Sequence, residues 1–249
     1  MLERTATMSF LTPHPPFHRC AKPVLLLHGF LATPYAISAL AARLSRSGYC
    51  AYSVDLGGVF GRFNARPIEE VAGTVAVRAE RLLRDHRLPH LDVVGHSEGG
   101  LIGRYYIQKL GGANRVRHLV TLGTPHRGTH WAYSGYILQR ILPSLPQMAP
   151  GSRLLCELAD ETFPRAVRLT SIYSEGDVIC PPASCRLDVG LGAHLKNVGV
   201  SHGGHVELLF RKRFAALIQN ELGAGMVEAA TRASASPPNL RASVEKGAA

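Results

Sequence analysis

The sequence predicts an α/β protein, a mostly parallel central sheet with helices on both faces. Three observations lead there. Short, uniformly apolar runs such as Val24-Leu25-Leu26-Leu27 read as strands covered on both sides. Stretches with a helical period separate them. Finally, the two alternate from Pro23 to about Leu222, and strand–helix–strand alternation implies parallel strands with crossover helices packed on the sheet. A chain of 249 residues is long enough for one such domain with a sizeable core.

The elements follow in order. After the strand at 24–27, Pro34 suits a first helical position, and Ile37, Leu40, Ala41 and Leu44 form one apolar face before Gly48 stops the helix. Residues 50–56 are the second strand. Pro67 opens a helix with Glu69 and Glu70 in its first turn, where negative charge suits the dipole. Residues 91–94 form a strand that runs into Gly95-His96-Ser97-Glu98-Gly99-Gly100. The helix after it carries Lys109 in its last turn and Gly111 as its stop. Residues 116–122, 166–173 and 195–200 are three further strands, and a last helix is expected over 206–222.

Three segments fall outside this alternation. Residues 1–22, with Pro13, Pro15 and Pro16, read as an extension ahead of a domain at 23–223. Residues 129–164 separate two strands by more than a loop, and are expected to form one or two small helices as a lid or cap insertion. The Ala, Ser and Pro composition of 224–249 reads as a mobile tail.

Composition narrows the function classes. The net charge of +10 favours anionic surfaces, but the arginines are scattered and the one tight run is Arg211-Lys212-Arg213 on the terminal helix. No zinc-finger spacing or aromatic–basic stripe accompanies it, so no nucleic-acid partner is expected. Five cysteines make an odd count without a Cys-x-x-Cys pair. Cys50 reads as core, while Cys180 and Cys185 are expected as free thiols, with a small disulfide between them as the alternative. No acidic cluster suggests a metal, and no cofactor is called for. With neither a signal-peptide pattern nor an apolar run near the ~18 residues of a membrane span, a cytoplasmic protein is expected; export by another route stays open.

The most specific chemical signal is Gly95-His96-Ser97-Glu98-Gly99. Gly-x-Ser-x-Gly between a buried strand and a helix is the setting of a nucleophile elbow, a turn so tight that the flanking positions must be small. A serine hydroxyl needs a base, and on this scaffold acid and histidine follow the serine from the ends of later strands. Ser174-Glu175-Gly176-Asp177 follows the fifth strand, so Asp177 is the candidate acid, with Glu175 and Asp188 as competitors. Ser201-His202-Gly203-Gly204-His205 follows the sixth. His205 is preferred because glycines free the loop before it and an apolar run anchors the helix after it; His202 is the alternative. Acyl transfer also needs oxyanion donors. The backbone N–H of Glu98 is one, and that of Phe30, in His28-Gly29-Phe30 after the first strand, is the other.

These segments together resemble bacterial triacylglycerol lipases of the minimal α/β-hydrolase type. The resemblance runs through Leu25-Leu26-Leu27-His28-Gly29-Phe30, Val94-Gly95-His96-Ser97-Glu98-Gly99-Gly100 and Leu122-Gly123-Thr124-Pro125-His126-Arg127-Gly128-Thr129. It continues in 170–177 and 204–209, and covers about 23–222. It implies an α/β-hydrolase fold, a triad of Ser97, Asp177 and His205, an oxyanion hole at Phe30 and Glu98, and hydrolysis of carboxylic esters. Two departures stand out: the family is commonly secreted, and it often has Met or Gln where this chain has Glu98. A small-molecule or lipid ester is the expected substrate, with transient contact at a lipid interface and no stable protein partner. Leu31, Trp131, Tyr136 and Ile137 are expected at an apolar substrate-binding rim. A thioesterase or acyltransferase of the same chemistry is the second reading, and a non-catalytic binding protein that keeps the fold is the third.

Overall fold

The structure is a computed structural model that describes residues 21–56 and 65–235, with side chains to residue 224. The predicted extension, apart from its last two residues, and the end of the predicted tail lie outside the described residues. Six strands form one sheet: β1 (Pro23–Leu27), β2 (Cys50–Ser53), β3 (Leu91–His96), β4 (Val116–Leu122), β5 (Arg168–Ser174) and β6 (Leu195–Val200). Their order is β2-β1-β3-β4-β5-β6, and every neighbouring pair is parallel. This is the α/β architecture that the alternation predicts. β2 ends at Ser53 rather than at residue 56, because its partner β1 ends one residue past the pairing of Leu26 with Ser53.

The helices α1 (Ser38–Arg46), α2 (Ile68–Asp85) and α3 (Glu98–Lys109) fill the early crossovers. Alternate strand residues feed two separate cores, as a sheet covered on both faces requires. Leu25, Leu27, Val93, Leu119 and Leu169 pack with residues of α2 and α3, such as Val71, Val75, Leu101 and Tyr106. Val24, Leu26, Val94, Val120 and Ile172 face the other way, onto Leu40 and Leu44 of α1 and onto Phe214 and Ile218 near the C-terminus. Truncating one of these fully buried leucines to alanine costs about 2–5 kcal/mol.

The insertion is more finely divided than one or two helices. A 3-10 turn (His130–Ser134) leads into α4 (Gly135–Leu138), then α5 (Ser144–Gln147) and α6 (Arg153–Asp160). The two ends of the segment differ. α4 leaves Tyr136, Ile137 and Leu138 exposed, whereas α6 is capped by the Ser152 hydroxyl, which accepts from Leu155 N–H, and buries Leu154, Leu155 and Leu158 in the core.

After β5 and a short α7 (Pro182–Cys185), the expected last helix is two helices. α8 (Glu207–Phe210) stops where Arg211 turns extended (ψ 134°), and α9 (Lys212–Ala235) begins at the next residue. α9 runs past Gly223, where the sequence reading stopped it; the segment beyond is rich in alanine, the strongest helix former. Cys50 lies in the core and is also disulfide-bonded, whereas Cys180 and Cys185 are free and buried. No helix among the described residues is long and apolar enough to cross a membrane.

Candidate active site

Because all six strands are parallel, the loops after them gather at one edge of the sheet. The segments after β1, β3, β4, β5 and β6 bring His28 to Phe30, Ser97, Gly123 to Thr129, Asp177 and His205 to that edge.

Ser97 sits between β3 and α3 with φ 54° and ψ −125°, a conformation that costs an ordinary residue about 1–3 kcal/mol. The surroundings hold it there. Its N–H donates to Leu122 O (2.8 Å), and its carbonyl accepts from Gly100 N–H (3.0 Å) and from the Thr124 hydroxyl (2.9 Å). Steric crowding explains the flanking glycines. A Cβ on Gly95 would lie 2.5 Å from Gly100 N, and one on Gly99 would collide with the carbonyl oxygen of Leu27. The loop after β1 lies against the elbow, since a Cβ on Gly29 would come within 2.9 Å of Ser97 Cβ. Phe30 lines the same cavity as Ser97. Glu98 is the first residue of α3, so the helix makes no internal use of its N–H. The Glu98 side chain is fully buried and is not part of the cavity wall.

Asp177 and His205 meet across 28 residues of chain. His205 Nδ1–H donates to Asp177 Oδ2 at 2.7 Å, which leaves Nε2 as the acceptor of the neutral ring. The other carboxylate oxygen, Oδ1, accepts from the backbone N–H groups of Ile179 (2.9 Å) and Cys180 (2.8 Å). The carboxylate is thus buried but well supplied with donors. The competitors lie elsewhere: Glu175 and His202 are exposed, and the Asp188 side chain accepts from Gly190 N–H.

Several supporting residues were not assigned roles from the sequence. His96 Nε2–H donates to the His205 backbone carbonyl at 3.0 Å, with the two ring centroids 4.7 Å apart. Burial pushes the His96 pKa down to about 3, so this ring stays neutral beside His205. Glu207 Oε2 accepts from Gly204 N–H (3.1 Å), and Glu207 N–H donates to Gly204 O (3.0 Å), a reciprocal clamp around the loop that carries His205. Gly123 has φ +55°, and a Cβ there would lie 3.0 Å from Asp177 Oδ2 and 3.1 Å from His205 Nδ1. A glycine followed by the Thr124 hydroxyl was visible in the motif after β4, but only the fold shows what each touches.

Ser97 and His205 line one cavity of about 310 Å³. Its wall includes Ala32, Ala36, Ala132, Leu145, Met148 and Ile179. Of the expected rim residues, Trp131 lines it. Leu31, Tyr136 and Ile137 do not. Leu31 is turned outward on a left-handed backbone (φ 49°), Tyr136 lines a separate surface depression, and Ile137 is 89% exposed on α4. Among the described residues no group of three or more His, Cys, Asp or Glu is arranged to hold a metal ion.

The geometry can be set beside known proteins. The mature form of Bacillus licheniformis lipase BlEst2 superposes with a TM-score of 0.66 at 15% identity, covering 81% of this chain and 91% of that one. A monoacylglycerol lipase from Paleococcus ferrophilus gives 0.62 at 15% identity, over 82% of this chain and 94% of the other. A thermophilic esterase from Thermogutta terrifontis gives 0.58 at 16%, over 83% and 91%. At such identities the likeness is one of fold. Residues 22–183, however, match the family described as alpha/beta hydrolase fold over well over half the chain, so the chain belongs to that family.

Proposed function

We propose that this chain is a serine carboxylester hydrolase that cleaves acyl esters through an acyl-enzyme on Ser97. The observation that carries the reading is the 2.7 Å hydrogen bond from His205 to Asp177, with the far side of that imidazole and Ser97 sharing one apolar cavity. The structural neighbours named as lipases and an esterase agree with it.

In this reading His205 Nε2 takes the Ser97 hydroxyl proton as Oγ attacks the ester carbonyl. Asp177 holds the ring and stabilises the imidazolium. The N–H groups of Phe30 and Glu98 bind the oxyanion. When the intermediate collapses, the C–O bond to the alcohol breaks and His205 returns the proton to the leaving alkoxide. A water, deprotonated by the same imidazole, attacks the acyl-enzyme and frees the acid and Ser97. The acyl chain rests on Ala32, Ala36, Ala132, Leu145 and Met148, with residues 129–148 as a partial cap. The exposed Trp131, Tyr136, Ile137 and Ile141 form the outer surface that would meet a lipid interface.

The test is labelling by a fluorophosphonate probe together with turnover of p-nitrophenyl esters of graded chain length. Wild-type protein should label on Ser97 and turn over, and Ser97→Ala should do neither. Near-wild-type turnover by Ser97→Ala would sink the assignment. Faster turnover of acyl thioesters than of matched oxygen esters would move it to the second reading, a thioesterase.

A further inference from the structure

A second cavity, of about 250 Å³, shares no wall residue with the one around Ser97. The segment after β4 serves both: Thr129 lines the first, and His126 and Arg127 line the second. The walls of the second cavity combine cations with apolar surface. Arg104, Arg127 and Arg186 supply three guanidinium groups, and Phe163, Leu169, Leu187, Leu191 and Leu195 supply apolar side chains.

Arg104 and Arg186 make their hydrogen bonds to uncharged groups. Arg104 projects from α3, and its Nε donates to Gln108 Oε1 (2.8 Å) and its Nη2 to Leu158 O (2.7 Å), both uncharged acceptors. Burial without a counter-ion lowers its pKa to about 10. Arg186 donates to the Tyr173 hydroxyl at 3.0 Å and lies 5.4 Å from that ring's centroid, again without a carboxylate. None of the three forms an ion pair among the described residues. Two carboxylates also line the cavity, and neither pairs with these arginines. Glu161 pairs with Lys109, and Asp188 accepts from Gly190 N–H.

His126 completes the wall. Its ring is 94% buried in the same wall; Nε2 is bonded to Thr121 Oγ1 at 3.0 Å, and Nδ1 has no partner. A mostly buried guanidinium such as Arg104, held by neutral acceptors alone, is costly unless something anionic comes near it, and the exposed Arg127 and Arg186 stand where they can join it on such a guest. Planar guanidinium forks match a carboxylate, and the leucine wall matches an alkyl chain.

We propose that this cavity binds an amphiphilic monocarboxylate, an alkanoate whose head sits on Arg104, Arg127 and Arg186 and whose tail lies on Phe163 and the neighbouring leucines. The site is separate from the chemistry at Ser97 and does not depend on it.

Calorimetric titration of the full chain with octanoate tests this, alongside inorganic phosphate and octylamine. Octanoate should bind, and neither of the others should match it. The double variant Arg127→Gln/Arg186→Gln changes exposed side chains only; it should weaken octanoate by about tenfold or more. Its p-nitrophenyl ester turnover should be unchanged. Arg104→Met should weaken binding further. Ala132→Trp, which fills the other cavity, should leave the octanoate affinity intact. Four outcomes would each overturn the proposal: no octanoate binding, binding that survives the double variant, binding lost in Ala132→Trp, or phosphate or octylamine binding as tightly as octanoate.

Discussion

The two cavities treat buried charge in opposite ways. Beside the Ser97 cavity the buried carboxylate of Asp177 takes hydrogen bonds from two backbone N–H groups and an imidazole, so its charge is met from within the protein. Around the second cavity the guanidinium groups of Arg104 and Arg186 find only neutral acceptors. The first cavity is mostly apolar, which suits a neutral, apolar guest. The second holds three guanidinium groups with no ion pair among the described residues, which fits the anionic guest proposed for it. Reading a pocket therefore means asking which of its charges are already answered.

The largest effect is expected from removing the charge beside the first cavity. Asp177→Asn keeps the shape but replaces an acceptor with an amide that can present a donor to His205. A rate loss on the order of 10⁴ is expected, by analogy with the serine-protease example of the same exchange. Turnover of a p-nitrophenyl ester measures it, and a loss below tenfold would mean that the carboxylate is not part of the machinery. Gly123→Ala is a steric version of the same attack. Its methyl group would press on both partners of the 2.7 Å bond and demand an unfavourable positive φ. Displacing that pair should cost up to about 10² in kcat, the loss that a misplacement of about 1 Å brings, with KM little changed.

Acid should act on both regions through their neutral imidazoles. His96 beside Ser97 has a folded pKa of about 3, and His126 beside Arg104 lies well below the usual histidine value; burial is the main cause of each. The unfolded chain takes up these protons near pH 6.5. The stabilisation from keeping the rings neutral is thus full above that pH and is lost as pH falls toward the folded values. Each such ring should remove about 1.4 kcal/mol per pH unit in that window. Urea midpoints at pH 7 and pH 5 measure it, and equal midpoints would contradict it. The smallest effect concerns the segment that serves both cavities. Thr124→Val deletes the hydroxyl that bonds to the Ser97 carbonyl, and should cost about 1 kcal/mol, a fall of a few degrees in Tm. An unchanged Tm would show that Gly100 N–H alone suffices to hold the elbow.

How much of this was legible beforehand follows from the range of each interaction. Strand and helix positions were readable because 24–27, 91–94 and 116–122 declare their burial locally, by composition. The elbow was readable because its steric demand falls on Gly95 and Gly99, within two residues of Ser97. Asp177 and His205 could be named as candidates from their places after strands, but only the fold pairs Asp177 with His205 and leaves His202 outside. The cavity wall was not legible. Ile137 is apolar yet points outward, while Ala32, Ala36 and Ala132, too small to stand out in a sequence, form the lining. In a segment of four-residue helices no period distinguishes inside from outside. Arg104, Arg127 and Arg186 were equally hidden, scattered over 82 residues of chain and joined only by the packing of α3, the β4 loop and the segment after α7.

The crowding at the elbow separates two things that the motif runs together. Gly95 and Gly99 are required by backbone and carbonyl atoms, not by the serine hydroxyl. In a mutant library selected only for soluble expression, those glycines should stay fixed while position 97 drifts. Descendants that had given up turnover altogether would still keep the surrounding pattern. Within the motif, the glycines record a shape and the occupant of position 97 records the chemistry.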